Sequence, residues 1–162
     1  MSAPQRFSVR PGRIIFLLLS SVLFTLILFG CKKAESNASV QWMTLEEALE
    51  KSKKEPKTIM IDVYTDWCGW CKRMDETTFG DSDVASYINT HFYAVKLNAE
   101  GEKSMKYIDR QATERQLAEE VFGVEGFPTV VFLNPRENTI DLRSGYQEPA
   151  EFKTTLQAFA HL

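Results

Sequence analysis

The chain has 162 residues, 44% hydrophobic and 25% charged, which suits one globular domain with an appendage and argues against general disorder. Arg6, Arg10 and Arg13 are the only charged residues in positions 1–30; the rest of the chain holds 16 basic and 22 acidic residues, a net charge of about −6. That acidic body, with no basic stripe, excludes nucleic acid as a partner, because phosphate contacts need a positive footprint.

The N-terminal thirty residues read as a signal peptide or membrane anchor. A positive head precedes Ile14–Phe29, an apolar run broken only by Ser20, Ser21 and Thr25, with the layout of a secretory signal. The run is shorter than the roughly 20 residues that span a bilayer comfortably. Leu28-Phe29-Gly30-Cys31 follows at its end and resembles the lipobox of bacterial lipoproteins, although bulky Phe29 stands where a smaller residue is usual. That resemblance implies cleavage before Cys31 and lipidation of Cys31. The alternative is an uncleaved anchor held by the three arginines. Both readings place the body in the cell envelope, tethered to a membrane and facing the periplasm or extracytoplasmic space. Residues 31–40 are small, polar and unpatterned, and read as a flexible tether before a domain over 41–162.

Along the body, Thr44-Leu-Glu-Glu47 is a capping box opening a helix that ends near Lys54, before Pro56. Thr58–Tyr64, rich in branched residues, reads as a strand buried on both faces. A helix is predicted from the first C-x-x-C cysteine to Thr78, another over Asp81–Asn89, and a strand over Phe92–Leu97. Gln116–Phe122 reads as a helix stopped by Gly123. Thr129–Leu133 and Thr139–Arg143 read as a hairpin, and Pro149–Ala160 as an amphipathic helix.

The chemistry concentrates at Cys68-Gly-Trp-Cys71, the body's only cysteines. A bridge closing so short a loop removes little chain entropy, so it makes a poor structural staple. At a helix N-terminus, unpaired N–H groups and the partial positive charge stabilise a thiolate, the active species in disulfide exchange. Side chains three apart in a regular helix stand about 5–6 Å apart at Cβ, whereas a disulfide wants roughly 3.5–4.5 Å. Cys68 at the non-helical cap relieves that mismatch and exposes the first thiol. Structural zinc is disfavoured, since only His91 and His161 could join two thiolates. No metal and no cofactor beyond the redox-active disulfide is expected. A second reading is a non-catalytic carrier of copper(I) through its soft thiolates, with Met74 as the one further soft ligand nearby.

Three ordered segments resemble the thioredoxin superfamily: Ile61–Lys72 around the cysteines, Val95-Lys-Leu-Asn98, and Val124-Glu-Gly-Phe-Pro-Thr129. With Met74–Phe79 and Asp81–Val84, the chain is most similar to the extracytoplasmic branch that includes the C-terminal domain of transmembrane thiol-disulfide interchange proteins. The resemblance implies an α/β thioredoxin fold, a central mixed sheet flanked by helices, in one domain. It implies that Cys68 is the nucleophile and Cys71 the resolving thiol, and that Pro128 is a cis-proline whose loop, with Phe127, presents backbone to a substrate strand. Asp62 would relay a proton for Cys71, with Lys96 as its partner. Among the rim aromatics, Trp70 is assigned to substrate docking and Trp67 to packing the helix on the sheet.

The resemblance further implies a thiol-disulfide oxidoreductase acting on protein disulfides, fed by a membrane thiol-electron donor. Reductant or isomerase is favoured over disulfide-forming oxidant. Glu100–Arg115 exceeds the usual connector and is expected to be a solvated loop with a partial helix near the sheet edge.

Overall fold

The computed structural model describes residues 37–160. The expected signal or anchor, Cys31 and the first part of the tether lie outside the described residues, as does His161.

Strand β1 (Trp42–Met43) leads into helix α1 (Leu45–Lys54), whose Thr44/Glu47 capping box is closed in both directions. Strand β2 (Thr58–Tyr64) is followed by α2 (Gly69–Thr77), α3 (Ser82–His91) and β3 (Phe92–Asn98). Asp81 caps α3 by accepting the N–H groups of Asp83 and Val84. Beyond the insertion lie β6 (Thr129–Asn134), β7 (Thr139–Ser144) and α5 (Pro149–Phe159).

The sheet order is β1-β3-β2-β6-β7, with β3 parallel to β1 and β2, and β6 antiparallel to β2 and β7. Strand β2 is therefore central, which is why its residues from Thr58 to Val63 are all buried. Alternation divides it between two cores. Ile59, Ile61 and Val63 join the side covered by α1 and the insertion, while Met60 joins the side covered by α2, α3 and α5. Asp62 shares the parity of Met60 and so lies on the α2 side.

The insertion departs from the expected solvated loop. Ser104–Tyr107 (β4) and Arg110–Thr113 (β5) form an antiparallel hairpin of their own, in which Tyr107 pairs with Arg110 across a two-residue turn. Met105, Tyr107 and Ala112 are buried in the α1-side core, with Tyr107 set edge-on to Phe122 at 5.8 Å. The turn, Ile108-Asp109, lacks the glycine or asparagine that usually announces such hairpins, and Ile108 takes a left-handed φ of 55°. Ser104–Tyr107 alternates outward and inward, but over only four residues, and Arg110–Thr113 has Ala112 as its one inward apolar residue, so the period-two signal is short. Next, Thr113 caps α4 (Glu114–Gln116), which runs into a π-helical turn over Leu117–Val121 instead of one regular helix. Gly123, at φ 65°, ends it.

Because Tyr107 is a core residue, Tyr107→Ala is expected to lower unfolding stability by roughly 2–4 kcal/mol, read by urea denaturation. A solvated loop would give a change below about 0.5 kcal/mol.

Candidate functional site

The site forms where β2 ends. The chain leaves Tyr64, turns so that Cys68 N–H donates to Thr65 O at 3.1 Å, and enters α2 with Cys68 as its N-cap in an extended conformation, φ −72° and ψ 103°. Cys68 and Cys71 are joined by a disulfide with their Cα atoms 5.3 Å apart. The Cys71 N–H donates to Cys68 Sγ at 3.1 Å, so the first cysteine's sulfur occupies the position of a helix-capping oxygen.

The expected exposure of Cys68 is not seen. Each cysteine is only 4% exposed; the Cys68 sulfur is held by the Cys71 N–H, and the exposed side chains of this segment are those of Trp67 and Trp70. Trp70 is 60% exposed and leans on Tyr146, 5.4 Å between ring centres, while the Tyr146 hydroxyl lies 3.0 Å from Thr77 Oγ1. Trp67 is 66% exposed and does not pack α2 onto the sheet. It stands edge-on to Phe127 at 6.0 Å, and its indole N–H donates to Glu100 Oε1 at 3.0 Å. The polar edge of the indole finds an acid at the start of the insertion, so the ring stays at the surface. The residue before each cysteine thus belongs to an aromatic pair.

Phe127 and Pro128 precede β6, whose first residue, Thr129, pairs with Val63 near the end of β2. The Phe127–Pro128 peptide is cis. Pro128 is buried and its carbonyl accepts Gly145 N–H at 2.8 Å. That carbonyl is committed to the fold, and Phe127 beside it is half-buried.

Asp62 is 2% exposed in the central strand. Its register partner across the parallel pair is Lys96, whose Nζ donates to Asp62 Oδ2 at 3.0 Å and also to Asp75 Oδ1. Asp75 is one turn beyond Cys71 on α2, so Lys96 links the buried acid to the dithiol helix. Burial pushes the Asp62 carboxyl up to about 6; Lys96 opposes the rise, and the nearby Asp75 charge adds to it. Burial pulls Lys96 down, but the two carboxylates outweigh it and leave the ammonium above its usual range. The rings of Trp42 and Tyr64 each lie 5.0 Å from Lys96 Nζ and add cation–π contact.

Asp75 and Glu100 escaped the sequence reading. Helical spacing from Cys71 could have flagged Asp75; nothing local pairs Glu100 with Trp67, 33 residues away. Among the described residues no group of three or more His, Cys, Asp or Glu is placed to hold a metal.

A disulfide-capped helix following a buried central strand, beside a cis-proline entry to the adjacent antiparallel strand, is the arrangement of the thioredoxin fold. The profile of the thioredoxin-like domain matches residues 45–160. The chain therefore belongs to the thioredoxin-like domain family. It is similar to the disulfide bond reductase DsbH of Chlamydia pneumoniae, 30% identical over 98 residues covering 60% of this chain and 58% of that protein. It is also similar to the thiol:disulfide interchange protein DsbD of Colwellia psychrerythraea, 24% identical over 161 residues covering 87% of this chain and 25% of the relative. This chain thus spans little more than half of the first relative and a quarter of the second. The solved structure of a DsbH oxidoreductase superposes with a TM-score of 0.63 at 24% identity, covering 82% of this chain and 92% of that one.

The raised Asp62 carboxyl predicts how stability varies with pH. Between its ordinary 3.8 and about 6, the folded chain holds a proton that the unfolded chain has released. This group's contribution therefore falls as pH rises through that window, and its full cost is present above it. At about 1.4 kcal/mol per pH unit, the charge costs the fold up to roughly 3 kcal/mol at neutral pH. Asp62→Asn is expected to raise the melting temperature at pH 7–8, with the gain vanishing near pH 4. A gain independent of pH in calorimetry would show that Asp62 is not an ionised buried acid.

Proposed function

We propose that this protein is a thiol-disulfide oxidoreductase that reduces or isomerises protein disulfides in the cell envelope. The observation that carries the reading is the Cys68–Cys71 disulfide at the N-cap of α2, directly after the strand that buries Asp62. The relatives, a disulfide bond reductase and thiol:disulfide interchange proteins, support the same chemistry.

In the reduced protein, the α2 N-terminus favours the Cys68 thiolate. This thiolate attacks a substrate disulfide, forming a mixed disulfide and releasing the first substrate thiolate. Cys71 then gives its proton to Asp62, whose carboxyl near 6 can accept one at neutral pH. The Cys71 sulfur attacks Cys68 Sγ, closing the intramolecular disulfide and releasing the second substrate thiolate; two electrons have passed to the substrate. Lys96 steadies the Asp62 charge between turnovers. Phe127 pairs its backbone with the extended substrate segment, Pro128 shapes that loop, and Trp70 gives an apolar docking surface.

An envelope reductant needs electrons from elsewhere, and a membrane thiol-electron donor would restore the dithiol. A lipid on Cys31, or an anchor over residues 1–30, would keep the two partners close and raise their effective concentration. The reducing direction rests on the reductase name of the Chlamydia relative and on the resemblance to interchange proteins.

Cys71→Ser is expected to accumulate mixed disulfides with partner proteins through Cys68, and Cys68→Ser none, read on non-reducing gels. Adducts mainly in Cys68→Ser would reverse the roles. Equilibration with glutathione tests direction: a potential near about −120 mV would indicate an oxidant. Mass spectrometry of the mature protein is expected to find an acylated Cys31 N-terminus; an intact Met1 would establish the uncleaved anchor.

A further inference from the structure

Two buried side-chain polar atoms among the described residues lack a hydrogen-bond partner, Thr65 Oγ1 and Gln147 Oε1. Both lie at the dithiol end of the sheet: Thr65 between β2 and Cys68, Gln147 in the β7–α5 loop, where its carbonyl accepts the Thr78 hydroxyl at 2.6 Å. Gln147 is half-exposed and already uses its amide nitrogen on Glu151. Thr65 is different, being 1% exposed and using its hydroxyl on nothing.

An orphaned buried hydroxyl costs about 1–3 kcal/mol, and valine would fill the same space without that cost. The position of Thr65 suggests what the hydroxyl serves. Its carbonyl accepts Cys68 N–H at 3.1 Å, so Thr65 and Cys68 are the first and last residues of one tight turn. The Cα atoms of such a turn lie within about 7 Å. Thr65, Cys68 and Cys71 are all at most 4% exposed, so water does not compete freely for the hydroxyl or the sulfurs. A disulfide sulfur is a poor acceptor, whereas a thiolate is a strong one. Thr65 Oγ1 bonds neither sulfur of the closed disulfide; a thiolate freed at the end of the same turn is the acceptor it lacks.

We propose that Thr65 Oγ1–H is a hydrogen-bond donor reserved for the reduced dithiol, stabilising the thiolate and so setting the reduction potential of the Cys68–Cys71 pair. This inference rests on that pair being redox-active. Reduction by glutathione breaks the Cys68–Cys71 bond and forms the sulfur–sulfur bond of glutathione disulfide. Two electrons and one glutathione thiol proton pass to the protein, leaving one thiol and one thiolate, and the second proton goes to the buffer. The Thr65 hydroxyl keeps its own proton and stabilises the product side alone.

The test equilibrates the protein, Thr65→Val and Thr65→Ser with glutathione buffers at pH 7.5 and follows thiolate absorbance against pH. Thr65→Val is nearly isosteric and is expected to fold. Its equilibrium constant for reduction should fall about tenfold, equivalent to about 30 mV toward a more reducing potential, and its thiolate should titrate at higher pH. Thr65→Ser, which keeps the hydroxyl, should stay near the parent protein. An unchanged equilibrium constant in Thr65→Val, with both redox forms equally more stable, would overturn the proposal and leave Thr65 as a buried polar residue of no redox consequence. Failure of the parent disulfide to equilibrate with glutathione at all would overturn the redox reading as well.

Discussion

A single ammonium, Lys96 Nζ, ties together three elements that must keep register for the site to exist. It stands on β3 opposite Asp62 of β2 and reaches Asp75 of α2. A carboxylate in the middle of a central strand is costly unless paired. The parallel register of β2 and β3 supplies the pair, since a slip of one residue would put Lys96 on the opposite face of the sheet. The second carboxylate, on α2, then links the dithiol helix to the same charge. The helix that carries Cys71 is thus held by the Asp75–Lys96 pair as well as by Met74, which is buried in the core on that side of the sheet.

This arrangement sets stability against function. Pairing with Lys96 only partly offsets burial, so Asp62 stays above its usual range and carries its charge at a cost to the fold near neutral pH. A carboxyl poised there can both accept and release a proton under mild conditions, which suits the proton relay proposed for it. Thr65 follows the same logic at smaller scale, a buried polar group whose expense is visible in the oxidised state. Both lie on or just after β2, between the apolar core and the disulfide.

Around this centre the surface is built from elements distant in sequence. Glu100 holds the indole of Trp67, Tyr146 supports Trp70, and Gly145 binds the Pro128 carbonyl. The insertion that supplies Glu100 continues into a hairpin whose inward side chains complete the α1-side core. One added segment therefore shapes the rim of the site at its start and pays for its own ordering by burying Met105, Tyr107 and Ala112.

The sequence by itself determined the elements whose signals are local. Thr44 and Glu47 mark a helix start, Thr58–Tyr64 has the unbroken apolar character of a strand buried on both faces, and Cys68 before Gly69 marks a capped helix opening with a dithiol. These signals mark the elements because periodicity and capping depend on neighbours within a few residues; the thioredoxin fold followed from the resemblance of three ordered segments. The strands of the insertion were not legible, since each is only four residues long, β5 has Ala112 as its one inward apolar residue, and their turn lacks the usual glycine or asparagine. Only the tertiary structure decided that Asp75 joins Asp62 on Lys96, that Trp67 faces solvent instead of packing α2, and that Cys68 is as little exposed as Cys71. Each of those outcomes depends on which side chains meet across elements separated by twenty or more residues, and the energies of such contacts are set by burial and pairing that no local stretch of sequence contains.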